Sequence, residues 1–572
     1  VVRRLPIDNP RGLAFDEKNG LLVLSGRKLV RISLAVGDRS EPTPVIETGL
    51  EDPRHVALDA AGDLYISDRG ASQQIKVFSP EGKLLRTIGK AGAPQAGMYD
   101  PLHMNNPNGL GLDSHGRVWV AEDDFHPKRV SVWSPDGALV RAFYGPGEYG
   151  GGGVLDSQDK TKFFYKGQEF RLDWTSGADK LVRVFYRPDP LLEAHYGPYS
   201  PDWPLYPETR SGQRYFTSCY THNPTNGDGV SFIWIDSGPV VRLAAALGSA
   251  NEWNVLKGEE FKAKWPAGID PQGDRWKNQA AFAWSDLNAD GRPQPDEVEI
   301  VKAECSGVVT QNDLSCVAAR FNGATVQFKP IGFTKEGAPQ YAIDAPTTLA
   351  AGAQGPKSSG GDQALSEQNG WTIHTVAPQP FSPYSLGGSL NGKPTWSYPN
   401  PWPGLHASHE AAVPDRLGQV IGVTRLLGDW IKPRGESGAV FGVNANMGNM
   451  YLFTADGLFV ATLFHDIRVR PNWAMPTATR GMDVSNVSLH DENFWPSLTQ
   501  TAEGEVFVVD GARVSIVKVE GLDSIKRIAP QPLEVTPADL EKAHDWLTQT
   551  EAKRQALQGN GVLRVAVTTT AP

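Results

Sequence analysis

Three stretches near the start of the chain share one pattern of apolar and polar positions: NPRGLAFDEKNGLLVLS (9–25), DPRHVALDAAGDLYISD (52–68) and NPNGLGLDSHGRVWVAE (106–122). Each opens with Asn-Pro or Asp-Pro, passes two residues, runs as an alternating apolar strand to an Asp, turns through a Gly and continues as a second alternating strand. A period of two marks a strand with one buried face. The second and third stretches continue into IKVFSPEGKLLRTIG (75–89) and VSVWSPDGALVRAFYG (130–145), each a strand, a Pro-Glu-Gly or Pro-Asp-Gly turn and another strand. Four antiparallel strands in roughly 40 to 55 residues is the size of one propeller blade.

The same grammar returns in more diverged form at 162–187, 213–248, 280–345, 371–426, 439–466 and 495–519. On these repeats, most clearly over 9–145, the chain resembles the NHL-repeat β-propellers. The resemblance implies an all-β fold, a seven- or eight-bladed propeller of four-stranded antiparallel blades over 1–534, closed so that no sheet edge is left free. Past it, Thr536-Pro537 supplies a helix cap and first-turn residue, and helix formers run to Gly559, predicting a helical linker over 535–560. The segment 561–572 reads as the opening of a truncated or small C-terminal element. That join resembles the one before carbohydrate-binding β-sandwiches in secreted multidomain proteins.

Composition agrees with many short strands: 60 Gly and 44 Pro punctuate the chain, and 16 Trp, 22 Phe and 15 Tyr supply bulk for sheet packing. With 55 basic against 65 acidic residues, net −10, and no dense Lys/Arg run, nucleic acid is excluded as a partner. No stretch approaches the ~20 apolar residues of a membrane span. The chain starts at Val1 without a signal-like apolar segment, so its numbering is expected to begin after cleavage or to describe part of a longer precursor. Cys219, Cys305 and Cys316 read as buried thiols, with a Cys305–Cys316 disulfide as the alternative.

The most specific motif is DLNADGRPQPDE at 286–297. Asp286, Asn288 and Asp290 occupy positions 1, 3 and 5 of a twelve-residue calcium loop, Gly291 the sharp turn, Arg292 the backbone-carbonyl position and Glu297 position 12. Its flanks read as strands, so Ca2+ is expected to clip a hairpin. Calcium is plentiful outside the cytosol, which points to a secreted, periplasmic or cell-surface protein.

Propeller geometry directs the residue after each Asn/Asp-Pro pair to a funnel at one face: Arg11, Arg54 and Asn108. The amidating lyases, which resemble this chain in the repeat, carry zinc-binding histidines at that point; here the residues are Arg, Arg and Asn, so that zinc site is not carried over. Two guanidinium groups suit a carboxylate-bearing ligand, or pair with Asp residues of neighbouring blades. The Pro-broken run 396–410 holds Trp396, Tyr398, Trp402, His406 and His409, expected on a long loop where rings stack on sugars. His490, Glu492 and Trp495 precede an inner strand and are expected near the same funnel. No GxSxG elbow or HExxH helix occurs.

The sequence thus points to a secreted, calcium-clipped propeller that binds extracellular carbohydrate or another surface ligand, as a monomer or as part of a longer chain. Its rival is a polysaccharide lyase on an acidic polymer, with Arg11 or Arg54 neutralising the uronate and His409, His490 or Tyr398 removing the proton; a glycosidase would need two facing carboxylates, and a protein-interaction scaffold would need no pocket.

Overall fold

The computed structural model describes residues 4–17, 20–34, 41–145, 152–194, 197–220, 229–353, 362–382, 384–414, 416–445, 447–469, 477, 479–488, 493–511, 515–529, 532 and 534–559. The chain divides into two compact units, Val1–Tyr149 with Leu181–Arg187, and Gly150–Lys180 with Pro188–Pro572.

The first unit contains the clear repeats. Each forms a four-stranded antiparallel sheet in chain order: Pro10–Phe15 to Thr43–Ile46, Pro53–Leu58 to Leu84–Ile88, and Pro107–Leu112 to Leu139–Tyr144. Every sheet starts at the Pro of the Asn/Asp-Pro pair, and the register shifts just after it, between Pro10 and Leu13, Pro53 and His55, and Pro107 and Leu110. Proline has no N–H to give the ladder, so the first strand bulges there before pairing regularly. The Asp ending each first strand closes the hairpin: Asp59 Oδ1 accepts from the Ala61 and Asp63 amides, both at 3.0 Å, and Asp113 Oδ1 from His115 and Arg117 at 2.9 and 3.0 Å. Between the sheets, Leu22, Leu24, Val56, Ile66 and Phe78 form one buried cluster and Ile75, Val77, Val118, Val120 and Trp133 another.

Inside this unit Arg129 and Glu122 form a fully buried ion pair at 2.7 Å. Arg129 also donates to the Pro101 and His103 carbonyls, and Glu122 accepts from Ser131 Oγ and the Asn105 amide. Charges taken out of water are tolerable only with such complete satisfaction.

The second unit is built around six sheets of three or more strands among the described residues. The first holds Val154–Leu155, Lys162–Tyr165 and Gln168–Leu172. The next has six strands, from Trp203–Leu205 to Val298–Val301. Then follow four-stranded sheets starting at Cys305–Thr310, Ala364–Ser366 and Val423–Leu426, and a three-stranded sheet starting at Ser497–Gln500. The molecule is therefore all-β, a succession of largely four-stranded antiparallel sheets of propeller-like kind.

Two sequence expectations change here. The segment 280–345 is not one blade: the long strand Val241–Ser249 has room for Ala281–Ser285 as a further neighbour, so the hairpin up to Val298–Val301 extends the preceding sheet, and a new sheet begins at Cys305. The segment 371–426 likewise splits, one sheet ending at Lys393–Tyr398 and the next starting at Val423–Leu426. Counted as sheets of three or more strands, the described residues give three in the first unit and six in the second, against the seven or eight expected.

The three cysteines are buried thiols outside any disulfide. Cys305 pairs with Phe321 and Cys316 with Thr310, so the two lie at opposite ends of their hairpin, too far apart for an S–S bond. The predicted helix spans Pro537–Gly559, with Thr536 and Asp539 each accepting from the other's amide, while 561–572 lies outside the described residues. No helix among the described residues is long and apolar enough to cross a membrane.

His374 is fully buried on the strand Trp371–His374, with no hydrogen-bond partner for either ring nitrogen among the described residues. Burial pushes its pKa down to about 4. An unfolded histidine titrates near 6.5, so from about pH 6.5 to 4 the unfolded chain takes up a proton that the folded chain refuses. Stability from this group is therefore present above pH ~6.5 and is lost as pH falls, by roughly 3 kcal/mol at the low end. His374→Gln should flatten the acid limb of unfolding free energy against pH in urea titrations; parallel curves for the two proteins would show that His374 does not drive it.

Candidate functional site

In the second unit the first strand of each sheet runs directly into a turn. Ser157 and Gln158 follow Val154–Leu155, Glu208 and Thr209 follow Trp203–Leu205, and Asn312 and Asp313 follow Cys305–Thr310. Glu367 and Gln368 follow Ala364–Ser366, Asp429 and Trp430 follow Val423–Leu426, and Thr501 and Ala502 follow Ser497–Gln500. All twelve residues line one cavity of about 1110 Å³. It opens where the innermost strands end, whereas the sequence reading placed the ligand where such strands begin.

Hydrogen bonds pass from each of these turns to the next. Tyr206 Oη donates to both Asp156 oxygens at 2.8 and 2.7 Å. The Asn312 side chain accepts from the Tyr206 amide at 2.8 Å and donates to its carbonyl at 3.1 Å. Gln311 exchanges bonds with Ser366 in both directions, and Trp430 Nε1 donates to the Ser366 carbonyl at 2.7 Å. Gln500 accepts from the Lys432 amide at 2.8 Å and donates to its carbonyl at 3.0 Å, and the Ala502 amide donates to the Ser157 carbonyl at 2.8 Å. A carboxamide presents a donor and an acceptor side by side, the pattern of a peptide edge, which is why Asn and Gln hold these turns. Bonds among the turns themselves fix the rim.

One carboxyl at the rim is unusual. Asp429 Oδ2 accepts from the Asn312 amide at 2.7 Å and its Oδ1 from the Trp430 amide at 2.8 Å. Enclosure by the cavity wall raises its pKa, the two amides and the Lys432 charge lower it, and the Asp313 charge raises it again, leaving it at about 6. Asp429 keeps partial exposure toward the cavity, and Asp313 is exposed on its turn.

The lining mixes polar and apolar surface, and its charged residues are mostly acidic. Glu208, Asp313, Glu367 and Asp429 face only Lys329 and Lys432. Three indoles, Trp203, Trp371 and Trp430, supply ring surface among Gln311, Gln327, Asn391 and Gln500. Trp371 and Trp430 are half-buried, so part of each ring is open to a ligand, while Trp203 is nearly covered. Flat apolar rings set among amides and carboxylates suit a ligand with one apolar face and a fringe of hydroxyls.

The residues singled out in the sequence lie elsewhere. Arg11 and Arg54 both pair with Asp52, at 2.5 and 2.7 Å, in the first unit. Burial acts to raise the Asp52 carboxyl, but the hydrogen bonds from Arg11 and Arg54 outweigh it and hold it below its ordinary value. Neither guanidinium is therefore an unclaimed anion grip, and Asn108 is half-buried with its carbonyl taken by Ser67 Oγ at 2.5 Å. Trp396 and Tyr398 sit on the strand Lys393–Tyr398 rather than on a loop: Trp396 Nε1 donates to the Ala455 carbonyl at 3.1 Å, and Tyr398 Oη to Gly457 at 2.8 Å. Both rings pack against the next sheet, Trp396 on Phe441 and Tyr398 on Phe453, and burial raises the pKa of the Tyr398 phenol. Trp402 is buried with Ala411 and Ile421. Trp495 is buried under the Lys166 amine, 4.5 Å from its ring. His409 is half-buried at the end of the short helix Gly404–Ser408, which also carries His406, whose side chain is outside the described set. His490 and Glu492 lie outside the described residues. Among the described residues, none of those singled out in the sequence lines the cavity.

The loop 286–297 joins the last two strands of the six-stranded sheet. Asp286 Oδ1 and Asn288 Oδ1 both accept from the Asp290 amide, at 3.1 and 3.0 Å, and Asp290 Oδ1 accepts from Arg292 at 2.8 Å. Three side-chain oxygens thus converge on one turn, as a hard cation requires. Glu297 instead faces Trp284 Nε1 and the Leu287 amide, both at 2.9 Å, and Arg242 pairs with Asp286. Among the described residues no group of three or more His, Cys, Asp or Glu side chains is set to hold a metal. Asp286, Asn288 and Asp290 supply oxygens of the kind a cation takes; a complete shell needs Glu297 to leave Trp284 and Arg242 to yield Asp286.

No family model matches the chain, and no curated protein matches it. Among solved structures, a streptogramin B lyase is similar over 65% of this chain and 92% of its own, at 12% identity and a TM-score of 0.20. A virginiamycin B lyase from Staphylococcus aureus, catalytically inactive and with quinupristin, aligns over 55% of this chain and 92% of its own at 12% identity and TM-score 0.19. A gluconolactonase from Xanthomonas campestris aligns over 41% and 74% at 18% identity and TM-score 0.20.

Asn312→Ala removes both bonds to Tyr206 on an exposed turn, so the expected loss is about 1 kcal/mol of unfolding free energy in urea. An unchanged midpoint would show that the amide does not tie the two turns together.

Proposed function

We propose that the second unit is a closed six-bladed propeller of a secreted protein and that its cavity binds a neutral oligosaccharide. The observation that carries this reading is the lining of the 1110 Å³ cavity: Trp371 and Trp430 with open ring surface, set among amides and carboxylates on a rigid rim. The volume is ample for a short glycan, since small-molecule sites run from ~300 to ~1,000 Å³. Two more carboxylates than ammonium groups disfavour a polyanion, which turns the proposal away from acidic polysaccharides. The lyase reading has less support, because Arg54 shares the one Asp52 carboxylate with Arg11 and the Tyr398 hydroxyl is committed to Gly457.

In the same reading, Asp286, Asn288, Asp290 and Glu297, with the Arg292 carbonyl, hold Ca2+ as a structural clip on the edge of the six-stranded sheet. The ion supplies charge to the loop and takes no part in ligand binding.

Titration calorimetry against neutral and uronate oligosaccharides should find binding to a neutral glycan. Trp371→Ala should weaken it about tenfold or more, equivalent to ~1.4 kcal/mol, and Arg54→Ala should leave it unchanged. Tighter binding of the uronate series, or a loss on Arg54→Ala, would contradict the reading. Calcium should raise the melting temperature of the wild type and not of Asp290→Ala, whereas equal melting in calcium and in chelator would remove the clip.

A further inference from the structure

The carboxyl pair at the cavity rim is better equipped than binding requires. Asp429 is locked by two backbone amides, at 2.7 and 2.8 Å, one of them from Asn312, whose chain neighbour is Asp313. The Asp313 carboxyl is exposed, its Oδ1 accepting from the Ser315 amide at 2.9 Å and Ser315 Oγ at 2.6 Å, which leaves Oδ2 for solvent or ligand. A third polar group, the Tyr220 hydroxyl, is buried with no hydrogen-bond partner among the described residues, its ring against Trp203 of the cavity wall at 4.6 Å and under the influence of both carboxyl charges.

We propose that Asp429 and Asp313 are the general acid and the general base of a glycoside hydrolase site in this cavity, a claim that rests on the sugar-binding reading. In the step, the Asp429 carboxylic acid gives its proton to the glycosidic oxygen as the bond from that oxygen to the anomeric carbon breaks. A water molecule, losing a proton to the Asp313 carboxylate, forms the new bond to the anomeric carbon. Asp429 ends as carboxylate and Asp313 as acid, and solvent returns the proton between them. One carboxyl must start protonated and the other ionised, a division that unequal surroundings produce.

The groups facing Asp429 are the Asn312 amide and Asp313 from one turn, Lys432 and the Trp430 amide from its own segment, and the Tyr220 hydroxyl. Ligand entry displaces water from this set, which strengthens every charge interaction within it. With the acid titrating at about 6, activity should fall about tenfold per pH unit above that value.

The test uses the full chain and a neutral oligosaccharide identified by calorimetry, with release of reducing ends followed from pH 4.5 to 8. Release by the wild type is expected, with Asp429→Asn lowering kcat by about 10²- to 10⁴-fold at nearly unchanged KM. On an aryl glycoside, whose leaving group needs no proton, Asp429→Asn should lose far less, whereas Asp313→Asn should lose activity on both substrates. Retained glycan binding by each variant serves as the check on folding. Binding without release at any pH would overturn the hydrolase and leave the sugar reading standing. Binding of no neutral glycan would remove both, and release insensitive to Asp429→Asn would place the chemistry elsewhere.

Discussion

The second unit depends on side-chain amides standing in for backbone where strands run out. A sheet ends when its ladder has no further partners, and the orphaned N–H and C=O groups of the turn beyond must bond to something. Here Asn312, Gln311 and Gln500 supply those partners across three of the sheet boundaries, and Tyr206, Trp430 and the Ala502 amide tie the other three. The same bonds leave an open space at the strand ends and fix the groups around it. Fold and site share one set of interactions, because the Asn312 residue that bonds Tyr206 through its side chain also bonds Asp429 through its backbone.

The charge distribution decides what that space can hold. In the first unit the singled-out cations already have carboxylate partners: Arg11 and Arg54 share Asp52, and Arg129 pairs with Glu122. Around the cavity the charges do not balance, and the excess is acidic. A neutral, hydroxyl-bearing ligand can use carboxylates as acceptors and indoles as platforms without meeting like charge, which an acidic polymer cannot.

Much of the fold could be read from period-two alternation and turn chemistry. The repeats at 9–25, 52–68 and 106–122 became sheets because Pro sets where pairing begins and Asp closes the hairpin, both local effects. Boundaries failed where pairing was long-range: nothing in AAFAWS says that it would join Val241–Ser249 rather than open a sheet of its own. The site was less legible. Trp396 and Tyr398 stood out as aromatic residues near prolines, yet they fill the gap between sheets, as large rings most often do. Asp429 and Trp430 form an unremarked Asp-Trp pair in the sequence, and Asn312-Asp313 reads as an ordinary turn. What joins them is the ending of two separate inner strands at one place, which no local motif records. A cue did exist in the run of polar turn residues directly after each inner strand.

The central claim is that ligand is taken where the innermost strands of the second unit end. Hydrogen–deuterium exchange on the full chain, with and without a saturating neutral oligosaccharide, tests it most directly. Slower exchange confined to the amides of 311–315, 366–372 and 429–432 is the predicted result. Protection instead at 53–55 and 107–109, where the inner strands of the first unit begin, would contradict it.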